Sequence, residues 1–521
     1  VNLASQGQQL LDEMSADPYG DFSPSLYETA RIVALAPTLA GHGGRIRYLL
    51  DEQHGDGSWG APYDYALLPT LSATEALLSE SRRTPAPAVA AAARDGLRAL
   101  FLRLAPGRAV TLPDTVAVEI LVPHLVAEIN AHLAALEDNP LPGLEISPAG
   151  ARLPCPPGTY PELLGHLRDT VARGQVLPEK LWHSLEVVGP AARRAPFASP
   201  GEFGLGCSPA ATAAWFGAVP APRQAGVRYL EVLQARHGGP VPVAAPLDIF
   251  ERAWVLATFT DVGLPVSVPA GLVDGLRAAC GSSGVAGGAG LPPDADDTST
   301  ALHALANLGA PQPIDPLWEF QADDHFSTYP EERTPSVSTN AHVLQAFIAH
   351  PERTARIERA MVRLVSWLCG QQQEDGSWTD KWHASPYYAT VCCVVALAGC
   401  GEPTPAIRKA LRWVLDNQRE DGSWGYWEST PEETAYAVQI LLRGSAGRPD
   451  PAVERAAARG CAHLLGGDLA RTPPLWHDKD LYTPARIVRA ETIAALHLAR
   501  TNPRVAALTG RWETGQPERT A

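Results

Sequence analysis

Apolar positions along this chain recur in helical rather than alternating order. Segments such as TLSATEALL (70–78) and AVAAAARDGLRAL (88–100) carry Leu, Val and Ala at three- and four-residue spacing, and Pro/Gly breaks separate them. No stretch alternates apolar and polar residues as a half-buried strand would, so the pattern predicts an all-α protein. One seven-residue element recurs: QHGDGSW from Gln53 to Trp59, QQEDGSW from Gln372 to Trp378, and QREDGSW from Gln418 to Trp424. The last two start 46 residues apart, the length of a helix pair with its loops, which predicts stacked helical hairpins closing into an α/α barrel. Asp-Gly makes the tight turn, Gln can bond loop backbone, and Trp can pack on the neighbouring helix while its indole N–H finds a partner.

Composition narrows the class. With 521 residues two or three domains are expected. Hydrophobic residues make up 45% of the chain, yet neither an unbroken apolar run of membrane-spanning length nor a leader pattern is evident, so a soluble cytoplasmic protein without a transmembrane segment is expected. A net charge of −15 argues against nucleic acid and anionic membrane as partners, and an anionic ligand would need local cations or metal. The eight cysteines lack CxxC pairing and several lie in apolar runs, so buried free thiols are expected rather than zinc or disulfides.

The candidate chemistry lies in LPPDADDTSTALHAL (291–305), where Asp294, Asp296 and Asp297 follow a Pro-Pro break and open an Ala/Leu helix reaching toward Gly309. Acids in a first turn commonly cap free amides and meet the helix dipole. Acids packed this closely in a dry site cannot all ionise, however, so one can keep its proton at neutral pH. A neutral, water-shielded carboxylic acid is what protonation of a carbon–carbon double bond requires.

DADDT resembles the DxDD motif of the class II terpene cyclases, and the chain is similar to their bacterial diterpene branch over residues 20 to 500. The three repeats resemble that family's QW motifs, and SPSLYETARIV (23–33), KLWHSLEVVGP (180–190), PSVSTNAHVLQAF (335–347) and SWTDKWHASPYYATVCC (377–393) resemble further family segments. The resemblance implies two α/α-barrel domains, a β domain of residues 1–20 plus 240–521 and an inserted γ domain of 21–239, with no class I α domain. It implies Asp296 as the acid, with Asp294 and Asp297 holding its proton and geometry. It also implies His183 as the group that, with an Asn, orients the water removing the last proton; Val243 stands where that Asn is expected. Lys381, Lys180 and Arg173 are the candidate diphosphate-binding cations, Asp114 and Glu119 the candidate Mg2+ ligands, and Trp254, Tyr387 and Tyr388 the candidate cavity aromatics.

The implied reaction is protonation-initiated cyclisation of geranylgeranyl diphosphate to a copalyl-type diphosphate, ent-copalyl by overall resemblance, with the product passed to a separate class I synthase. A DDxxD segment that would ionise the diphosphate is not found; the nearest string, around Asp323 and Asp324, lacks a third acid. Other class II products (clerodane, tuberculosinyl or drimane type), a triterpene cyclase, and a prenyl-lipid-binding barrel without chemistry stay open, as does a homodimer. The polar tail, 514–521, is expected to be disordered.

Overall fold

In a computed structural model, the described residues are 2–144, 150–217, 225–330, 332–401, 405–445, 448–467 and 472–510. The polar tail expected to be disordered lies outside them. Helices dominate, as the periodicity predicts. Six of them pack neighbour to neighbour and close a ring: Asp248–Asp261, Ala295–Asn307, Val337–Ala349, Pro386–Gly399, Pro431–Gly444 and Ala485–Thr501. Pro386–Gly399 is the most apolar of them, and most of its side chains are buried. Helices such as Ala355–Gly370, Pro405–Asp416 and Pro451–Gly466 lie outside, with one apolar face turned to the ring.

A second ring joins Leu26–Leu35, Leu67–Arg83, Val118–Asp138, the 3₁₀ segment Glu179–Ala192 and Pro209–Phe216. Each ring has its own buried apolar cluster. One takes in Leu3 to Phe22, Cys207 and residues from Val243 to Val505; the other runs from Tyr27 to Ala214. Val118–Asp138 is, among the described residues, the helix long and apolar enough to cross a membrane, but 56% of its most apolar window is buried inside the protein.

The Gln/Trp repeats are built alike. Gln53, Gln372 and Gln418 each bond one carbonyl in their own turn and one on the α-helix after the next in the chain, that of Ala92, Ala406 and Ala456 respectively. The fully buried Trp59, Trp378 and Trp424 donate their indole N–H to Leu49, Leu368 and Val414 oxygens at 2.6–2.8 Å. The turn glycine must stay glycine: at Gly376 φ is +102° and a Cβ would sit 2.7 Å from the Lys409 carbonyl oxygen.

The all-α architecture holds, with a single two-residue strand pair among the described residues, Trp476–His477 with Leu481–Tyr482, too short for any alternation to be read in sequence. One expectation needs correction. The cysteines are all free, but Cys155 and Cys400 are exposed.

Candidate active site

The acid motif is a helix cap. Asp294 is the N-cap of Ala295–Asn307, and its Oδ1 accepts from the Asp297 N–H at 2.7 Å. Thr298 then accepts from the Val285 N–H at 2.8 Å, tying the helix to the preceding turn. Four other helices open the same way, with Ser25/Thr29, Ser208/Thr212, Ser336/Asn340 and Thr430/Thr434 at the two positions. DADDT is thus an ordinary cap of this fold in which the Ser/Thr has become Asp and two more acids fill the first turn. The capping and the chemical readings hold together.

What sets this cap apart is burial without a cation. Asp294 is 4% exposed and Asp297 8%. Burial lifts the Asp294 carboxyl to about 7, with Asp296 beside it adding to the rise. Asp297 is pushed well above the usual carboxylate range by burial and by Asp294. Its Oδ1 is buried without a hydrogen-bond partner, which suits a neutral acid far better than an anion. Asp294 Oδ2 accepts from the Tyr329 hydroxyl at 3.1 Å. Asp296 is the most open of the three, its side chain 13% exposed, and its Oδ1 lies 2.7 Å from His342 Nδ1. Trp254 stands edge-on to the His342 ring at 5.4 Å.

All three acids line a cavity of about 680 Å³ between the two rings, within the range of small-molecule sites. Trp254, Tyr388, Phe250, Trp476 and Leu247 give it an apolar wall. Its charged rim holds Asp114, Glu119, Lys180, Glu332, Arg333 and Lys381. Lys381 is already engaged by the Glu332 carboxylate and the Thr334 carbonyl. Arg333 lies 3.2 Å from Asp114 and 3.7 Å from Glu119, and is half-exposed. Among the described residues no three His, Cys, Asp or Glu gather as a metal site. Two carboxylates brought to one guanidinium nevertheless fit Mg2+ held jointly with a diphosphate, since that ion asks the protein for only one or two oxygens.

Ten of the twelve sequence-derived candidates line this cavity: Asp114, Glu119, Lys180, His183, Trp254, Asp294, Asp296, Asp297, Lys381 and Tyr388. Two do not. Arg173 is exposed at the end of Pro161–Ala172, on the solvent side of its helix. Tyr387, next to a lining residue but turned by one helical step, packs against Trp413 at 4.5 Å between centroids. His183 sits in a 3₁₀ turn rather than at a helix start, and Asp478 rather than residue 243 meets it, at 3.0 Å from Nε2. Sequence reading missed His342, Tyr329, Arg333 and Asp478. The last two sit in loops and carry no periodic signal. His342, though, is a buried titratable side chain between Ala341 and Val343 in the middle of Val337–Ala349.

Comparison with known proteins agrees with this geometry. Residues 332–480 match the family model of the squalene-hopene cyclase C-terminal domain. The chain is 48% identical over 502 residues to an ent-copalyl diphosphate synthase from Streptomyces sp. (strain KO-3988), covering 95% of this chain and 96% of that one. It is 43% identical over 512 residues to a copalyl diphosphate synthase from Streptomyces cyslabdanicus, covering 94% of each. Its structure is similar to that of ent-copalyl diphosphate synthase from Streptomyces platensis, with a TM-score of 0.91 at 46% identity, over 96% of this chain and 99% of that one.

Proposed function

We propose, from the premise that the chain belongs to the bacterial class II diterpene cyclases, that it cyclises geranylgeranyl diphosphate to a copalyl-type diphosphate, of the ent series, keeping the diphosphate. The observation that carries this reading is a cluster of buried, cation-free carboxyls opening onto an apolar cavity through Asp296. Asp296 delivers the proton to the terminal double bond of the substrate. Asp294 and Asp297 keep protons in the cluster, while His342 fixes the Asp296 carboxyl by its 2.7 Å contact. The double-bond electrons then close two rings in turn. Trp254, Tyr388, Phe250 and Trp476 exclude water that would trap the cation, and their faces offer about 0.5–2 kcal/mol each to a passing positive charge.

The diphosphate stays at the rim, where Lys180, Lys381 and Arg333 offer positive charge within an acidic protein. Mg2+ held by Asp114 and Glu119 would neutralise more of it. The product is stable only until a class of enzyme that ionises the allylic diphosphate consumes it, so a separate class I synthase is the partner we assign, in the cytoplasm of the cell.

Incubation with geranylgeranyl diphosphate and Mg2+, followed by phosphatase and chiral chromatography, tests the reading. Ent-copalol is the expected product. Acyclic geranylgeraniol alone would refute cyclase activity, whereas a rearranged bicyclic alcohol would refute the product and spare the reaction class. Chelation of Mg2+ is expected to raise KM more than it lowers kcat.

A further inference from the structure

His183 has no lone pair to spare. Its Nδ1 lies 2.7 Å from the Gly206 carbonyl oxygen, which can only accept, so that nitrogen carries a hydrogen. Its Nε2 lies 3.0 Å from Asp478 Oδ1. The same Asp478 oxygen also accepts the Lys479 N–H at 2.5 Å, which favours a carboxylate there over a protonated acid. With acceptors at both nitrogens, the ring is held as an imidazolium between them. The electrostatics agree in direction: although burial opposes charging of the ring, Asp478 carries the His183 pKa upward, and His183 holds that of Asp478 below the usual range despite burial. An imidazolium cannot take up another proton.

Asp478 differs in this respect. Its Oδ2 has no protein donor among the described residues, and the residue lines the cavity. It follows the strand Trp476–His477 in the short ribbon that forms one wall. The other charged or titratable groups around the pair are accounted for. Lys479 is bound to Glu28 and Glu186 at 2.7 and 2.9 Å, Asp480 accepts from Ser25 and Tyr27, and burial, with the Asp478 and Asp297 carboxyls adding to it, pushes the Tyr482 hydroxyl well above its ordinary value.

Resting on the cyclase reading above, we infer that the Asp478 carboxylate accepts the proton that ends the reaction, and that His183 is a positioning residue which keeps this carboxylate ionised and aimed. In the step, a C–H bond next to the bicyclic cation breaks, its electron pair forms the new double bond, and the proton passes to Asp478. One proton enters the substrate from Asp296 and one leaves to Asp478, so substrate and product are isomers and no other reactant is needed. A buried carboxylate facing a tertiary cation is stabilised by that cation until the proton moves, which places the negative charge where the positive charge last resides.

The test uses the full chain with geranylgeranyl diphosphate and Mg2+ and reads substrate consumption and product separately. Asp478→Asn leaves the Asp296 step intact, so substrate is still consumed. The final cation, without its acceptor, is captured by water, and a bicyclic tertiary alcohol replaces the alkene as main product, with kcat lowered about 100-fold or more. Asp478→Glu, which keeps a carboxylate, returns the alkene. His183→Gln keeps the alkene as main product at a rate several-fold lower. Its acid limb of kcat moves to higher pH, because burial is then no longer opposed by the imidazolium. A melting curve matching wild type accompanies each variant. Alkene as the main product of a folded Asp478→Asn variant, or alcohol from His183→Gln but not from Asp478→Asn, overturns the assignment. Wild type that leaves the substrate acyclic overturns the cyclase reading itself, whatever the variants do.

Discussion

Glu28 and Asp297 occupy the same place in two different helices, third in a capped first turn, with Ser25 and Asp294 as the caps. Both are buried. Glu28 meets Lys479 at 2.7 Å, the Ala210 N–H at 2.5 Å and Ser208, and rises only to about 7. Asp297 has no cation against it, leaves one oxygen without a donor, and rises well beyond the usual range. Burial raises both and neighbouring carboxyls add to it, Glu186 for Glu28 and Asp294 for Asp297; the ammonium of Lys479 holds Glu28 back. One cap has become a bolt between Leu26–Leu35, Pro209–Phe216 and the ribbon, while the other has become a proton store facing a cavity. The same local device yields structure or chemistry according to what stands opposite.

The contrast is broken most severely at its chemical end. Asp296→Ala is expected to lower kcat by about 10³-fold or more while substrate affinity survives, measured by turnover and by equilibrium binding; a binding module without chemistry would show no such split. At the structural end, Lys479→Met leaves Glu28 and Glu186 buried with no counter-charge and should cost about 3–5 kcal/mol of stability, read by denaturant melts. Adding Glu28→Gln and Glu186→Gln to it should recover most of the loss.

His342→Phe keeps the packing against Trp254 but removes the 2.7 Å contact with Asp296. A fall in kcat of about 10- to 100-fold with little change in KM is expected, and an equal fall in affinity would mean that the ring serves the wall instead.

A fourth comparison uses pH. Asp294 moves from its ordinary 3.8 to about 7 on folding, so between those values the folded chain binds more protons than the unfolded one. Stability therefore declines as pH rises from about 4 to about 7 and levels off above, and activity is lost on the alkaline side as the cluster ionises. Asp294→Asn should flatten this pH dependence of unfolding free energy, removing a change of up to about 4 kcal/mol across the window. The smallest effect belongs to the scaffold: Gln418→Ala forfeits two hydrogen bonds, about 1 kcal/mol each, with kcat unchanged.

The repeats and the acid motif were legible because each is local: a turn, a cap and a packed indole fit within seven residues. The helical rings followed from periodicity for the same reason. Tyr387 was misplaced because adjacent residues on a helix differ by 100° in direction, and no sequence cue chose between it and Tyr388. Arg173 was misplaced because a cation close to a motif in sequence is not thereby close in space. Asp478 and Arg333 reach the cavity from segments whose positions are set by contacts hundreds of residues away, such as the Val116 N–H donated to the Asp478 carbonyl. The helix starts carry a further signal of their own. SLYET, SPAAT, DADDT, SVSTN and TPEET stand at the starts of five helices, and aligning them isolates DADDT as the member whose cap is an acid where its siblings carry a hydroxyl.

The ribbon at 476–482 has a consequence for how such a protein comes into being. Every other residue lining the cavity precedes it in the chain, and it brings in Trp476, Asp478 and the Lys479 that secures Glu28. During synthesis from the first residue onward, the reaction chamber therefore stays open on one side until this segment emerges. A nascent chain can hold folded helices early, but it cannot shelter a carbocation until this last wall has left the ribosome.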